Sequence, residues 1–110
     1  RKRGNVMQVL VNSDNHIEAS LDFMTTIGKR VEDKIKRFEE HLTRVEVHLS
    51  DENAHKGGTL DKRCLIEARQ KGRDPISVSH NADHLEKAIE GAIHKLSTVL
   101  ERDISKTRTH

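Results

Sequence analysis

Aromatic residues are nearly absent from this chain: Phe23 and Phe38 are the only two, with no Trp and no Tyr. Their scarcity argues against single-strand nucleic-acid binding by base stacking, which needs exposed aromatic platforms. A lone cysteine, Cys64, rules out an internal disulfide framework and fits a reducing compartment. No apolar run approaches the ~20 residues that span a bilayer, and nothing resembles a secretory hydrophobic segment. A soluble cytoplasmic domain with no membrane partner is therefore expected. An excess of one charge is lacking too: 20 Lys+Arg stand against 18 Asp+Glu, a net of +2. Three of the cations, Arg1, Lys2 and Arg3, precede every periodic segment, and Met7 is a candidate natural start. Setting those three aside leaves 17 basic against 18 acidic residues, a net of −1. Any case for a nucleic-acid partner must rest on where the charges lie.

What is present suffices for one domain: 110 residues, 33% hydrophobic and 35% charged, a modest core under a charged surface. Residues 1–5 read as a basic tail, 6–106 as the domain and 107–110 as a C-terminal tail. Residues 7–11 (Met-Gln-Val-Leu-Val) are apolar and β-branched and run into Asn12-Ser13-Asp14-Asn15, a strand followed by a turn. From Leu21 the period changes: Leu21, Met24, Gly28, Val31, Ile35, Phe38 and Leu42 recur by threes and fours, as one face of a long helix. Glu18 and Ser20 are the alternative caps. Gly28 within it costs about 1 kcal/mol relative to Ala, and its place on the stripe suggests close packing or a hinge. Residues 43–50 alternate Val45, Val47 and Leu49 with Glu46 and His48, a strand apolar on one face. Residues 51–61, with Gly57-Gly58, read as a long loop. Residues 62–70 form a strand with Cys64, Ile66 and Ala68 in phase, 71–74 a turn, and 75–79 a last short strand opened by Pro75. A second helix begins near Asn81, capped by Asn81 or Asp83. It carries Leu85, Ala88, Ile89, Ala92, Ile93, Leu96, Val99 and Leu100 on one face and frays between Asp103 and Lys106. The order β-α-β-β-β-α predicts an α+β two-layer sandwich: a four-stranded mixed sheet with both helices on one face. The other face, with Glu46, His48, Glu67 and Arg69, stays in water.

The charges are sorted on the helices. One flank of the first collects Arg30, Lys34, Arg37 and His41, with Asp33 close by; the other mixes Lys29, Glu32, Lys36 and Glu40. On the second, His84, Lys95, Arg102 and Lys106 share one flank, and Glu90, His94 and Glu101 the other. Two basic flanks on one sheet face can build a phosphate-binding surface; solvated helix faces are the plainer reading. A second cluster, Lys62, Arg63, Arg69, Lys71 and Arg73, meets only Glu67 among acids between residues 62 and 73. It reads either as a second phosphate contact or as the charge that guards an edge strand against aggregation.

Signs of catalysis or of a cofactor are few. Of eight histidines, His80 and His84 have i,i+4 spacing, but His80 precedes the helix and no second ligand pair has metal-site spacing. His41, His48, His55 and His94 are scattered over different elements. Cys64 is placed as a small buried hydrophobe rather than a nucleophile. Gly57-Gly58 lacks the strand-to-helix context of a phosphate loop, and Glu39-Glu40 and Asp51-Glu52 are consecutive and diverge. No enzyme activity, cofactor, metal or small-molecule substrate is expected.

Two segments carry a resemblance. Lys34-Ile35-Lys36-Arg37-Phe38 resembles the Lys-Leu-x-Lys-aromatic signature of the ribosome hibernation factors, once described as sigma-factor modulation proteins. Ala88-Ile89-Glu90…Lys95-Leu96…Leu100 resembles their Ala-Ile-x…Lys-Leu…Leu pattern, followed by basic residues at Arg102 and Lys106. The resemblance spans about residues 6–106. It implies a stress-associated protein that binds the small ribosomal subunit in its messenger and transfer RNA channel, blocks initiation and preserves inactive ribosomes by occlusion. By position it implies ribosomal RNA contacts from Lys34, Arg37, Lys95, Arg102 and Lys106; Arg30 joins them from the flank analysis alone. It also implies a short form, without the extra domain with which long members pair two ribosomes. The alternative is a divergent relative that binds a protein partner or itself through the open sheet face. Nothing marks an oligomer interface, so a monomer is expected.

Overall fold

The computed structural model describes residues 7–14, 20–51 and 62–108, the last four as backbone only. The tail at 1–5 and the loop, apart from Asp51, lie outside these residues. Strand β1 (Gln8–Ser13), helix α1 (Leu21–Ile35), a 3₁₀ segment (Lys36–His41), strands β2 (Leu42–Asp51), β3 (Lys62–Gln70) and β4 (Ile76–Ala82), and helix α2 (Leu85–Arg108) follow in order. The sheet order is β1-β2-β3-β4, with β1 parallel to β2 and the other pairs antiparallel. Parallel pairing needs a crossover, which α1 supplies. The α+β sandwich expected from the order of elements is the fold observed.

Register sorts the sheet into two faces. Val9, Val45, Ala68 and Ile76 line up across the strands, as do Val11, Val47, Ile66 and Val78, and Ser13, Leu49, Cys64 and His80. These rows face the helices: α1 packs on β1, and α2 on β3 and β4. Val45, Val47, Leu49, Cys64, Ile66 and Ala68 are fully or almost fully buried, with Ile27, Val31 and Ile35 from α1 and Ala88, Ile89, Ala92, Leu96 and Leu100 from α2. Burying each Val, Leu or Ile side chain is worth about 1.5–3 kcal/mol, so this layer holds the two sides of the sandwich together. The opposite face carries Leu10, Glu46, Glu67 and Ser77 in one row and Asn12, His48, Leu65 and Ser79 in the next. Among the described residues no helix is long and apolar enough to cross a membrane.

Several boundaries differ from the expectations. Asn12 and Ser13, expected in a turn at 12–15, belong to β1, and Asp14 N–H still bonds Leu49 O at 3.0 Å; Asn15 lies outside the described residues. Ser20 is the cap of α1: its hydroxyl accepts from Phe23 N–H at 3.1 Å. The long helix stops at Ile35. Residues 36–41 tighten to three per turn, which keeps Phe38 under Ile35 while the chain turns into β2, and Leu42 is a strand residue. Lys71 N–H, bonded to His41 O at 3.0 Å, ties that corner to the β3–β4 turn. Leu21, first of the expected stripe, is 78% exposed, and Ile27 takes its place inside. Gly28 is not a close-packing site, since a Cβ there would sit at ordinary contact, 3.5 Å from Val11 Cγ2. Asn81 lies in β4 opposite Arg63, and the first α2 bond runs from Ala88 N–H to His84 O, so His84 rather than Asn81 or Asp83 occupies the cap position. Helix α2 continues to Arg108 instead of fraying at 103–106.

Candidate nucleic-acid interface

Arg30, Lys34 and Arg37 lie at i, i+4 and i+7, so α1 and the first 3₁₀ turn bring them to one flank. With about 1.5 Å of rise per residue the row is about 10 Å long. That flank faces α2. It meets the acidic side of α2, not the basic one: Arg30 Nη1 lies 3.3 Å from Glu90 Oε2, and Arg37 Nη2 lies 3.6 Å from Glu101 Oε1. Lys34, between them, has no ion-pair partner among the described residues. It opens on a hollow of about 230 Å³ shared with Arg30, Glu90, Ile93, His94 and Ser97. A neighbouring hollow of about 260 Å³, floored by Phe23, Ile27 and Ile89, continues the groove toward the start of both helices. Arg37 also lies over the Phe38 ring, 4.4 Å from its centre, a cation–π contact at the end of the row.

The basic flank of α2 points away from α1, along β4. Lys95 Nζ donates to Ser79 O at 2.8 Å, and Arg102, two turns on, is exposed on the same side. Lys106 lies on the backbone of that flank by helical phase. The structure therefore gathers Arg30, Lys34 and Arg37 into one row and sets Lys95 and Arg102 on the far side of the helical layer. The two basic flanks do not form one continuous surface. The helical periodicity separates the flanks of α1 as far as Ile35; beyond it, at about three residues per turn, Glu40 rather than His41 falls in phase with Arg37. Which flank of α2 faces inward depends on α2 lying over β3 and β4, and no local spacing encodes that.

The second basic cluster is also dispersed. β3 lies inside the sheet, so an edge-strand guard does not account for its cations. Lys62 and Arg69 stand about 23 Å apart at 3.3 Å per residue. Lys62 pairs with Asp51 at 3.2 Å, and Arg69 faces solvent opposite Arg44.

Elsewhere the chemistry is quiet. Cys64 is buried, and desolvation pushes its thiol up to about 12. His80 turns toward the helices and His84 precedes α2, so the two are not a helical pair. Among the described residues no three His, Cys, Asp or Glu side chains group as metal ligands would. Desolvation works against the Asp83 carboxylate, but Lys87 at 3.5 Å and His84 at 4.0 Å, with its own backbone N–H, together hold it below its usual range.

The fold and this flank define a class: a small α+β domain that presents a row of cations from its helical layer. Within that class, the chain belongs to the Sigma 54 modulation protein / S30EA ribosomal protein family, whose model matches residues 10–108. This is the family that the two helical motifs resemble. No curated protein sequence matches the chain. Among solved structures, a ribosomal subunit interface protein from Coxiella burnetii superposes with a TM-score of 0.69 at 15% identity, covering 89% of this chain and 98% of that one. The N-terminal domain of Thermus thermophilus Protein Y gives 0.65 at 19% identity, with 84% and 93% covered. At these identities the likeness establishes the fold.

Proposed function

We propose that this protein is a non-catalytic translation inhibitor that binds the small ribosomal subunit as a monomer, occupies its messenger and transfer RNA channel and keeps ribosomes inactive and intact under stress. The observation that carries this reading is the row Arg30, Lys34 and Arg37 on a chain of the S30EA ribosomal protein family. Guanidinium and ammonium groups at that spacing suit successive phosphates, and the contact is electrostatic. Lys95, Arg102 and Lys106 supply a second contact on the other side of the helical layer. Cations on two sides suit a channel walled by RNA better than a flat surface. The name of the Coxiella burnetii protein places that relative at the ribosomal subunit interface, which agrees with this reading. The protein acts from the cytoplasm and by occlusion, with no bond made or broken.

The test is sedimentation of the protein with purified small subunits across a salt series. Saturable binding is expected, weakening steeply with salt. Lys34→Glu should lower affinity about tenfold, the loss of one charge-assisted contact and its replacement by repulsion. It should also flatten the log–log salt slope by roughly 0.7–0.9. Lys95→Glu, made separately, reports on the second side. Wild-type binding that fails at low salt, or that neither reversal changes, would sink the reading.

A further inference from the structure

Across the groove between α1 and α2 the charges follow a fixed order: Arg30 on Glu90, Lys34 with no ion-pair partner among the described residues, then Arg37 on Glu101. All four paired side chains keep substantial exposure, 36% and 63% in the first pair and 59% and 62% in the second. Pairs so exposed are weak and readily exchanged. A phosphate that approaches one arginine replaces one carboxylate with another anion and gains little. The displaced glutamate stays nearby and repels it. An array of phosphates that engages all three cations together also gains Lys34, whose charge no glutamate offsets.

We propose that Glu90 and Glu101 are built-in counter-charges that set the specificity of this flank, so that it takes the dense phosphate array of folded RNA and discriminates against dispersed phosphates and flexible single strands. The inference rests on the ribosomal reading above and names the residues that restrain it. Glu86, which lines the same groove beside Arg30, adds to the repulsion at its open end. Asp33, next to Lys34 in sequence, is exposed and shares a further hollow with Arg30 and Lys34, so it adds a carboxylate at the outer side of the row without forming an ion pair among the described residues.

The experiment compares Glu90→Gln with Glu101→Gln, made together, against Glu32→Gln with Glu67→Gln. Both double variants remove the same charge, but Glu32 stands on the other flank of α1, about 200° round from Arg30, and Glu67 on the open face of the sheet. The probes are purified small ribosomal subunits and a single-stranded oligouridylate. The groove variant should bind subunits about 5–10-fold more tightly, the release of two weak pairs. It should gain more on oligouridylate than on subunits, so that the ratio between the two ligands falls. The control pair should change either affinity less than about twofold. Equal gains from both variants would mean that net charge alone is at work and would overturn the proposal, as would a groove variant no tighter than wild type. Absence of subunit binding by all three proteins would overturn the ribosomal reading instead, and the oligouridylate comparison would still decide whether the glutamates restrain the arginines.

Discussion

Cys64 stands in the middle of β3 with no exposed surface, between Leu49 on β2 and His80 on β4 in the cross-sheet row. Burial pushes its thiol up to about 12, against about 8.5 in an unfolded chain. The protonated thiol therefore favours the folded state. Its contribution is complete below about pH 8.5 and is lost as pH rises toward the folded value. Iodoacetamide at neutral pH should leave native Cys64 unmodified and alkylate it in urea, and the wild type should lose more stability than Cys64→Ala between neutral and alkaline pH. Alternation alone made this residue legible, because Cys64, Ile66 and Ala68 share one phase. Gly91 was not legible in that way. A Cβ there would overlap the His80 ring, so this glycine is the slot in α2 that a β4 side chain fills. Gly91→Ala should destabilise by about 1–3 kcal/mol in urea unfolding. In a His80→Ala background the same change should become stabilising, by up to about 1 kcal/mol, since only the helix preference of alanine remains.

Among the elements, β3 could be read residue for residue because its alternation is clean and its neighbours Asp61 and Lys71-Gly72 break it. Gly72 takes a φ of 68°, the left-handed turn geometry that glycine allows. The end of α1 was less legible for a physical reason: a spacing of three serves both an α-helix and a 3₁₀ turn. Ile35 and Phe38 fit either, and Leu42 declares itself a strand residue only through its partner Gln70. The start of α2 was obscured similarly, since Asn81 looks like a cap until Arg63 is seen across from it. At the other helix, Ser20 holds the first turn of α1, and with it the approach to the basic row. Ser20→Ala should cost about 1 kcal/mol, read as a lower thermal midpoint.

At the scale of the whole molecule, the sheet has one face sealed by helices and one left to water. On the open face Glu46 already serves two neighbours, Arg44 at 2.9 Å and His48 at 3.3 Å, so its charges are largely answered from within. Reversing charge there with Glu67→Lys and Arg69→Glu should leave subunit affinity within about twofold, as exposed pairs count for little. A large loss would instead favour a partner bound through the sheet. The basic row of α1 was visible in the spacing of Arg30, Lys34 and Arg37. Its pairing with Glu90 and Glu101 was not, because a helix has two flanks and only tertiary placement decides which one turns inward.

The bond from Lys95 to Ser79 O has a consequence unrelated to RNA. β4 is the outermost strand on its side of the sheet, and an unattended outer strand is a template on which another chain can lay a strand of its own. An ammonium fixed to that backbone fills the position and makes the addition of a further strand costly, so growth of the sheet on that side is disfavoured. Lys95→Glu would uncover this template as well as removing a cation. Its solutions should therefore be checked for concentration-dependent self-association before any change in sedimentation is credited to phosphate.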